Sequence, residues 1–147
     1  MLVVEDDVND EHLTLRALRQ SGVHCSVVVA HNGADALHFL RRTGPFDGRV
    51  GSDPIAIFVD NTLPGYGGVD LVTAIRAIPE FNGVPVVILS GCSDLNVVHK
   101  CSMAGANSFL EKPIDMADYI RQIGAAAQYW LNLNLSGPQL ANAATAM

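Results

Sequence analysis

Residues 55–64 read IAIFVDNTLP and contain the clearest strand signal in the sequence. The run Ile55–Val59 is wholly apolar, and it ends at the carboxylate of Asp60. A strand with one face in water alternates polar and apolar residues, whereas a continuous apolar run is typical of a strand buried on both faces of a parallel sheet. We therefore expect Ile55–Val59 to be a central strand of an α/β domain, with Asp60 at its carboxyl end.

Similar strand signals recur along the chain and alternate with amphipathic segments. The other predicted strands are Leu2–Val4, Cys25–Ala30, Val86–Leu89 and Ser108–Glu111. The predicted helices are Val8–Gln20, Ala34–Arg42 behind a cap at Asn32, Val69–Ile78, Leu95–Met103 and a fifth behind Asp115. Strict alternation of strands and helices favours a parallel sheet with right-handed crossovers and helices on both faces. The sequence therefore predicts a flavodoxin-like doubly wound α/β fold with five strands in the order 2-1-3-4-5.

Length, composition and charge exclude several classes of protein. The chain has 147 residues, of which 49% are hydrophobic and 16% charged, so we expect one folded domain with a sizeable core. The formal net charge of -6 has the wrong sign for binding a nucleic acid. The apolar runs are far shorter than the ~20 residues that cross a bilayer, so we expect no membrane association. Three cysteines without a CxxC spacing and no visible secretory signal indicate a reduced, cytoplasmic protein.

The C-terminal residues favour association of two copies of the chain. We expect a compact domain over residues 1–130, followed by a C-terminal arm and tail over residues 131–147. Leu131, Leu133 and Leu135 alternate with asparagines, and this period favours an extended segment with one apolar face. Because such an edge invites pairing with a second chain, we expect a homodimer through the last helix and the arm. The alternative that these leucines fold back on their own domain stays open.

Polar side chains follow four of the predicted strands. In a doubly wound sheet, ligands bind outside the carboxyl ends of the strands, where the strand order reverses. The residues that the sequence places there are Glu5, Asp6, Asp7, Asp60, Ser90, Gly91, Lys112 and Pro113. Each group alone has a structural explanation, since acids before a helix cap it and the other positions suit turns or loops. Their joint arrangement at strand ends favours a functional site.

The residue types at this edge point to phosphoryl chemistry. Carboxylates from adjacent strands repel each other unless a cation lies between them, and hard oxygen ligands select Mg²⁺ at ~2.1 Å. A metal ion that holds Asp60 beside Asp6 would also coordinate a phosphoryl oxygen, and an aspartate can attack phosphorus as a nucleophile. Lys112 would supply a positive charge to the phosphoryl group, and Ser90 a hydrogen bond. The sequence therefore predicts Mg²⁺-dependent formation of an aspartyl phosphate on Asp60.

Four short motifs together resemble those of a known signalling family. VVEDD (residues 3–7), VDNTLPG (59–65), ILSG (88–91) and EKP (111–113) resemble the motifs of response regulator receiver domains of two-component signalling, and the resemblance extends from Met1 to Trp130. It implies that Asp60 is the phosphoacceptor and that Lys112 binds the phosphoryl group. It also implies Mg²⁺ ligands at Glu5, Asp6, Asp60 and the backbone carbonyl of Thr62, switch residues at Ser90 and Phe109, and a cis Lys112–Pro113 bond.

A finer resemblance concerns the long Thr43–Asp53 segment and the aromatic pair Tyr129–Trp130, which are similar to those of the small single-domain regulators associated with bacterial phytochromes. It implies a single-domain response regulator that accepts a phosphoryl group from a histidine kinase, of the phytochrome type, and signals to a protein partner through a conformational switch. Such a protein is not an enzyme beyond self-catalysed phosphoryl transfer and slow autodephosphorylation.

Two other functions stay open at this point. A Mg²⁺-dependent phosphohydrolase of the aspartyl-phosphate type would use the same nucleophile, but it usually has a second acid two residues later, where this chain has Thr62. A phosphorylation-independent protein-interaction module of the same fold would lose the chemistry. None of the acidic, acceptor, hydroxyl or lysine positions is missing here, and this favours the phosphoacceptor.

Overall fold

The fold is a five-stranded parallel sheet with helices on both faces. The computed structural model describes residues 1–134. The strands are β1 (Leu2–Val4), β2 (Val28–Ala30), β3 (Ile57–Asp60), β4 (Val86–Ser90) and β5 (Ser108–Glu111). All neighbouring strands are parallel, and their order is β2-β1-β3-β4-β5. The predicted fold class and strand order are confirmed.

Strands β2 and β3 begin later than predicted because β1 is short. Leu2, the first residue of β1, pairs with Val28 of β2 and with Ile57 of β3. Neither ladder on β1 therefore extends back to Cys25 or Ile55. At their other ends β3 and β4 each include one residue more than predicted, so that Asp60 and Ser90 belong to the strands themselves.

Four of the five helices begin behind a polar side-chain cap, and all end close to the predicted residues. They are α1 (Val8–Gln20), α2 (Gly33–Arg41), α3 (Gly68–Arg76), α4 (Leu95–Ala104) and α5 (Met116–Gln128). The side chain of Asn32 accepts the Asp35 N–H at 2.7 Å, and that of Asp115 accepts the Asp118 N–H at 2.9 Å, so both predicted caps are present. Within residues 1–134, no helix has the length and apolarity that a bilayer crossing requires.

Two hydrophobic cores hold the sheet between the helix layers. Successive residues of a strand point to opposite faces, so each central strand contributes to both cores. One core joins the sheet to α2, α3 and α4, and its strand residues include Leu2, Val4, Ile57, Val59, Val86 and Ile88. The other joins the sheet to α1 and α5 through Val3, Phe58, Val87 and Leu89. Because β3 and β4 are buried on both faces, the polar residues at their carboxyl ends are rigidly positioned.

The chain beyond α5 stays helical, and the prediction of an extended segment from Leu131 onward is wrong over the described residues. A π-helical turn, Tyr129–Leu133, continues α5. Leu131 is 6% exposed and packs into the core with α1 and α5, whereas Leu133 is 71% exposed. The Asn132 side chain donates to that of Gln128 at 2.9 Å, one helical turn away. Burial of Leu131 therefore overrides the alternating pattern, and Leu135 lies outside the described residues.

Candidate functional site

The strand register brings the predicted site residues to one edge of the sheet. Val4 pairs with Val59, so the next residue of each chain segment, Glu5 after β1 and Asp60 at the end of β3, lies at the same edge of the sheet. Ser90 pairs with Glu111, and Lys112 follows Glu111 directly. As whole residues, Glu5, Asp60 and Ser90 are 2%, 4% and 3% exposed. Polar groups this deeply buried are costly unless they are paired or bind a ligand.

Three carboxylates form a cluster that suits a divalent cation. Glu5, Asp6 and Asp60 each offer one oxygen, and these oxygens all lie within 4.8 Å of one another. Oδ1 of Asp60 is buried and receives no hydrogen bond. Burial raises the pKa of Glu5, although its hydrogen bond to Lys112 works in the opposite direction. Hard oxygen donors clustered in this way fit Mg²⁺, the metal ion that the sequence predicts.

Lys112 is surrounded by carboxylates. Its Nζ lies 2.8 Å from Oε2 of Glu5, 2.7 Å from Oδ2 of Asp10 and 3.0 Å from Oδ1 of Asp60. The first two contacts are hydrogen bonds, whereas the third is an ion pair without hydrogen-bond geometry. Burial disfavours the charged ammonium, but the contacts with Asp10, Glu5 and Asp60 outweigh it and raise the pKa of Lys112 above its ordinary value. Lys112 therefore carries a full positive charge at the site.

Asp10 is a site residue that the sequence analysis missed. It lies in the first turn of α1, and its backbone N–H donates to the side chain of Asp7 at 3.0 Å. Asp7, the last acid of the VVEDD motif, therefore caps the helix and does not contact Lys112. The available signal was that α1 begins at the same edge of the sheet, which places an acid of its first turn beside the strand ends.

The two predicted switch residues lie on neighbouring strands. Oγ of Ser90 accepts the backbone N–H of Cys92 at 3.2 Å, and the Ser90 carbonyl accepts the N–H of Lys112 at 2.6 Å. Phe109 pairs in register with Ile88, is half-buried and packs against the core beneath α4. It also lines a pocket of about 210 Å³ with residues of α4 and the start of β5. The site end of β4 is thus tied to β5, and Phe109 has open space beside it.

The loop after Asp60 is closed by short contacts. Thr62 faces Gly67 in an isolated antiparallel bridge, and the Asn61 carbonyl accepts the Gly68 N–H at 3.3 Å. A Cβ on Gly68 would lie 2.5 Å from Oδ1 of Asn61, so a larger residue here would require the Asn61 side chain to move. This loop fixes the backbone of Thr62, whose carbonyl is a predicted metal ligand.

The Lys112–Pro113 bond differs from the expectation that the resemblance implied. The structure has no cis peptide bond in residues 1–134, so this bond is trans. The trans isomer is the more stable form of an X–Pro bond by ≈ 0.5–1 kcal/mol, and Lys112 reaches the carboxylates from it.

Comparisons with known proteins agree with this geometry. Residues 1–124 match the family described as response regulator receiver domain. The two-component response regulator ARR5 of Arabidopsis thaliana is 33% identical over 124 residues, which cover 82% of this chain. The chain spans 66% of the length of that regulator.

Two solved structures share the fold. The phosphorylated cyanobacterial phytochrome response regulator RcpA has a TM-score of 0.85 and 25% identity, over 92% of this chain and 96% of its own. The receiver domain of the sensor histidine kinase PA1611 from Pseudomonas aeruginosa PAO1 has a magnesium ion coordinated in its active-site cleft. It has a TM-score of 0.66 and 26% identity, over 88% of this chain and 93% of its own.

Proposed function

The chain belongs to the response regulator receiver family, and we propose that it accepts a phosphoryl group from a histidine kinase on Asp60. Receiver domains are signalling domains rather than classical enzymes. The main support for this proposal is the environment of Asp60, which is buried and whose Oδ1 receives no hydrogen bond. A carboxylate oxygen in this state keeps its lone pairs available for a metal ion or for phosphorus.

We propose that Glu5, Asp6, Asp60 and the backbone carbonyl of Thr62 hold Mg²⁺. The fit rests on the clustered oxygens of the three acids and on Oδ1 of Asp60, which receives no hydrogen bond. When bound, Mg²⁺ would offset the negative charge of the acids and of the phosphoryl oxygens. The magnesium ion reported for the receiver domain of PA1611 supports this choice of metal.

In the proposed reaction a carboxylate oxygen of Asp60 attacks the phosphorus of a phosphohistidine. A P–O bond forms, the P–N bond breaks, and its electron pair returns to the imidazole nitrogen, which leaves an acyl phosphate on Asp60. Lys112 supplies a fixed positive charge next to the acceptor, and no proton needs to leave it. We propose that the site catalyses only this transfer to itself and a slow autodephosphorylation.

Signalling would follow from a movement of Ser90 and Phe109. The phosphoryl group adds negative charge close to the Ser90 hydroxyl, which would donate a hydrogen bond to it and give up its present contact with the Cys92 N–H. Phe109 would then rotate into the space that Ser90 leaves, and the surface around α4 and β5 would change shape. The half-buried position of Phe109, with a pocket at its side, supports this role.

The partners and the assembly are further parts of the proposal. We propose a histidine kinase of the phytochrome type, supported by the likeness to RcpA, and a protein target that reads the changed surface. We propose a homodimer through α5 and the π-helical turn that continues it, where the exposed residues Ala125, Tyr129 and Leu133 recur at helical spacing. The division into a receiver domain at 1–130 and a C-terminal segment at 131–147 also remains a proposal. The three cysteines are free thiols, which suits a cytoplasmic location.

The test is incubation of the chain with acetyl phosphate and Mg²⁺, followed by intact mass. We expect one added phosphoryl group that decays slowly after removal of the donor. Continuous release of phosphate without an adduct would indicate a phosphohydrolase instead. An unchanged mass would indicate a phosphorylation-independent interaction module.

A further inference from the structure

We propose that Asp10 is a positioning residue that holds the Lys112 ammonium back from Asp60, an inference that rests on the proposed function of Asp60. Held in this way, Lys112 provides charge to the acceptor without occupying its oxygens. Asp60 thereby stays available to the metal ion and the phosphoryl donor.

The contacts of the ammonium support this division of roles. A lysine ammonium has three N–H donors, and in this structure two of them are directed at Glu5 and Asp10. The contact with Asp10 is the shortest of the three carboxylate contacts, at 2.7 Å, and the contact with Asp60 is the longest, at 3.0 Å. Only the Asp60 contact lacks hydrogen-bond geometry. The ammonium is therefore oriented by Glu5 and Asp10.

The placement of Asp10 suits a tether on the solvent side. Its side chain is 33% exposed, whereas those of Glu5 and Asp60 are 2% and 5% exposed. Its backbone is fixed by the cap of α1, since Asp7 accepts the N–H of Asp10. Lys112 thus lies between a buried pair of carboxylates and one carboxylate that is anchored on a helix.

Loss of the Asp10 charge would change what Lys112 does. The remaining partners, Glu5 and Asp60, are both buried, where attraction between opposite charges is stronger than in water. The ammonium would then move onto Asp60 and compete with the metal ion for the same oxygens. The measurable consequence is a weaker affinity for Mg²⁺, even in the absence of a phosphoryl donor.

The experiment measures Mg²⁺ affinity by calorimetry on the full chain without donor, for wild type, Asp10→Asn and a matched control, Glu11→Gln. Glu11 follows Asp10 on α1, and its side chain contacts His31 at 2.9 Å instead of Lys112. Both variants remove one negative charge. We expect the Mg²⁺ dissociation constant to rise about fivefold in Asp10→Asn and less than about twofold in Glu11→Gln.

A second step separates an effect through Lys112 from a plain loss of charge. In the background of Lys112→Met, adding Asp10→Asn should change the Mg²⁺ dissociation constant less than about twofold, because the group that Asp10 positions is gone. If Asp10→Asn weakens Mg²⁺ binding equally with and without Lys112, or not at all, Asp10 is not a positioning residue. Should Asp10→Asn fail to fold by circular dichroism, Asp10→Ala, with its better helix propensity, takes its place.

The outcomes for the two proposals are distinguishable. A wild type that binds Mg²⁺ but takes no phosphoryl group from acetyl phosphate would overturn the proposed function, while the Mg²⁺ comparison still tests Asp10. A wild type that is phosphorylated, with Mg²⁺ affinity unchanged in Asp10→Asn, would overturn only the role of Asp10. A wild type that binds no Mg²⁺ would overturn both.

Discussion

The hydroxyl groups of Thr14 and Tyr119 lie 2.9 Å apart inside the interface between α1 and α5, where the two residues are 0% and 2% exposed. Thr14 follows Asp10 by one helical turn, so the hydroxyl pair lies next to Lys112 and the carboxylates that surround it. Burial raises the pKa of Tyr119, and the hydrogen bond to Thr14 offsets part of this effect. This hydrogen bond gives each of the two buried hydroxyl groups a partner.

Removal of both hydroxyls of this pair should cost less than the sum of the two single removals. Tyr119→Phe leaves the Thr14 hydroxyl buried without a partner, and we expect a loss of about 1–2 kcal/mol in the free energy of unfolding. Thr14→Val likewise leaves the Tyr119 hydroxyl buried without a hydrogen-bond partner. The double variant should be more stable than the sum of the two losses predicts, as measured by urea denaturation. Strict additivity would show that the two hydroxyls are not coupled.

Asp60→Asn should abolish phosphorylation and leave the fold intact. The amide has nearly the shape of the carboxylate but is not a nucleophile, and it lacks the charge that the metal ion needs. Intact mass after incubation with acetyl phosphate and Mg²⁺ should show no adduct, and the wild type with a chelator should behave in the same way. A phosphoryl group on the folded Asp60→Asn variant would show that another residue is the acceptor.

Most of the fold was predictable because its signals are local. Apolar runs mark the strands, and side chains such as Asn32 and Asp115 cap helices from within three residues. The edge of the sheet that carries Asp60 and Lys112 follows from the parallel topology alone. What the sequence could not show is which side chains reach each other from different elements. The contact of Asp10 with Lys112 joins residues 102 positions apart, and the helical turn around Leu131 depends on core packing.

Lys112→Ala should impair the response to phosphorylation more than phosphorylation itself. In the proposed reaction its ammonium contacts the phosphoryl group, so its loss should weaken the link between modification and rearrangement. Mg²⁺ should bind no worse, because a competing positive charge at 3.0 Å from Asp60 is removed. Arg41→Ala, which removes an exposed positive charge of α2, away from α4 and β5, is the control. Tyrosine and tryptophan fluorescence with and without acetyl phosphate measures the rearrangement, and a response equal to wild type would exclude this role.

The buried Glu5 should make stability depend on pH in a defined direction. Since burial raises its pKa above the ordinary value of 4.5, its contribution to stability is full below that value and is lost as the pH rises through the folded-state pKa. Relative to Glu5→Gln, the wild type should therefore be more stable at pH 4 than at pH 7. Urea denaturation at the two pH values measures this difference. At pH 7 the Glu5→Gln variant should also bind Mg²⁺ more weakly than the wild type. A stability of the wild type, relative to Glu5→Gln, that grows with pH would contradict a raised pKa of Glu5.

The packing of Leu131 decides how the proposed homodimer can be tested. A truncation before Leu131 would remove a side chain that is 6% exposed in the core, so loss of a dimer could reflect loss of the fold. Substitutions on the outer face of α5 avoid this problem. Ala125 and Leu133 are both exposed and lie eight positions apart, on the same side of α5 and the π-helical turn that continues it.

In a symmetric dimer, a residue near the two-fold axis meets its own copy or a close neighbour. Ala125→Glu and Leu133→Glu should each place negative charges of two chains close together and shift the protein to a monomer in size exclusion with light scattering. Val50→Glu is the matched control, because Val50 is 92% exposed in the loop before β3, away from α5. A wild type that is monomeric at high micromolar concentration, or α5 variants that stay dimeric, would show that this face is not the dimer contact.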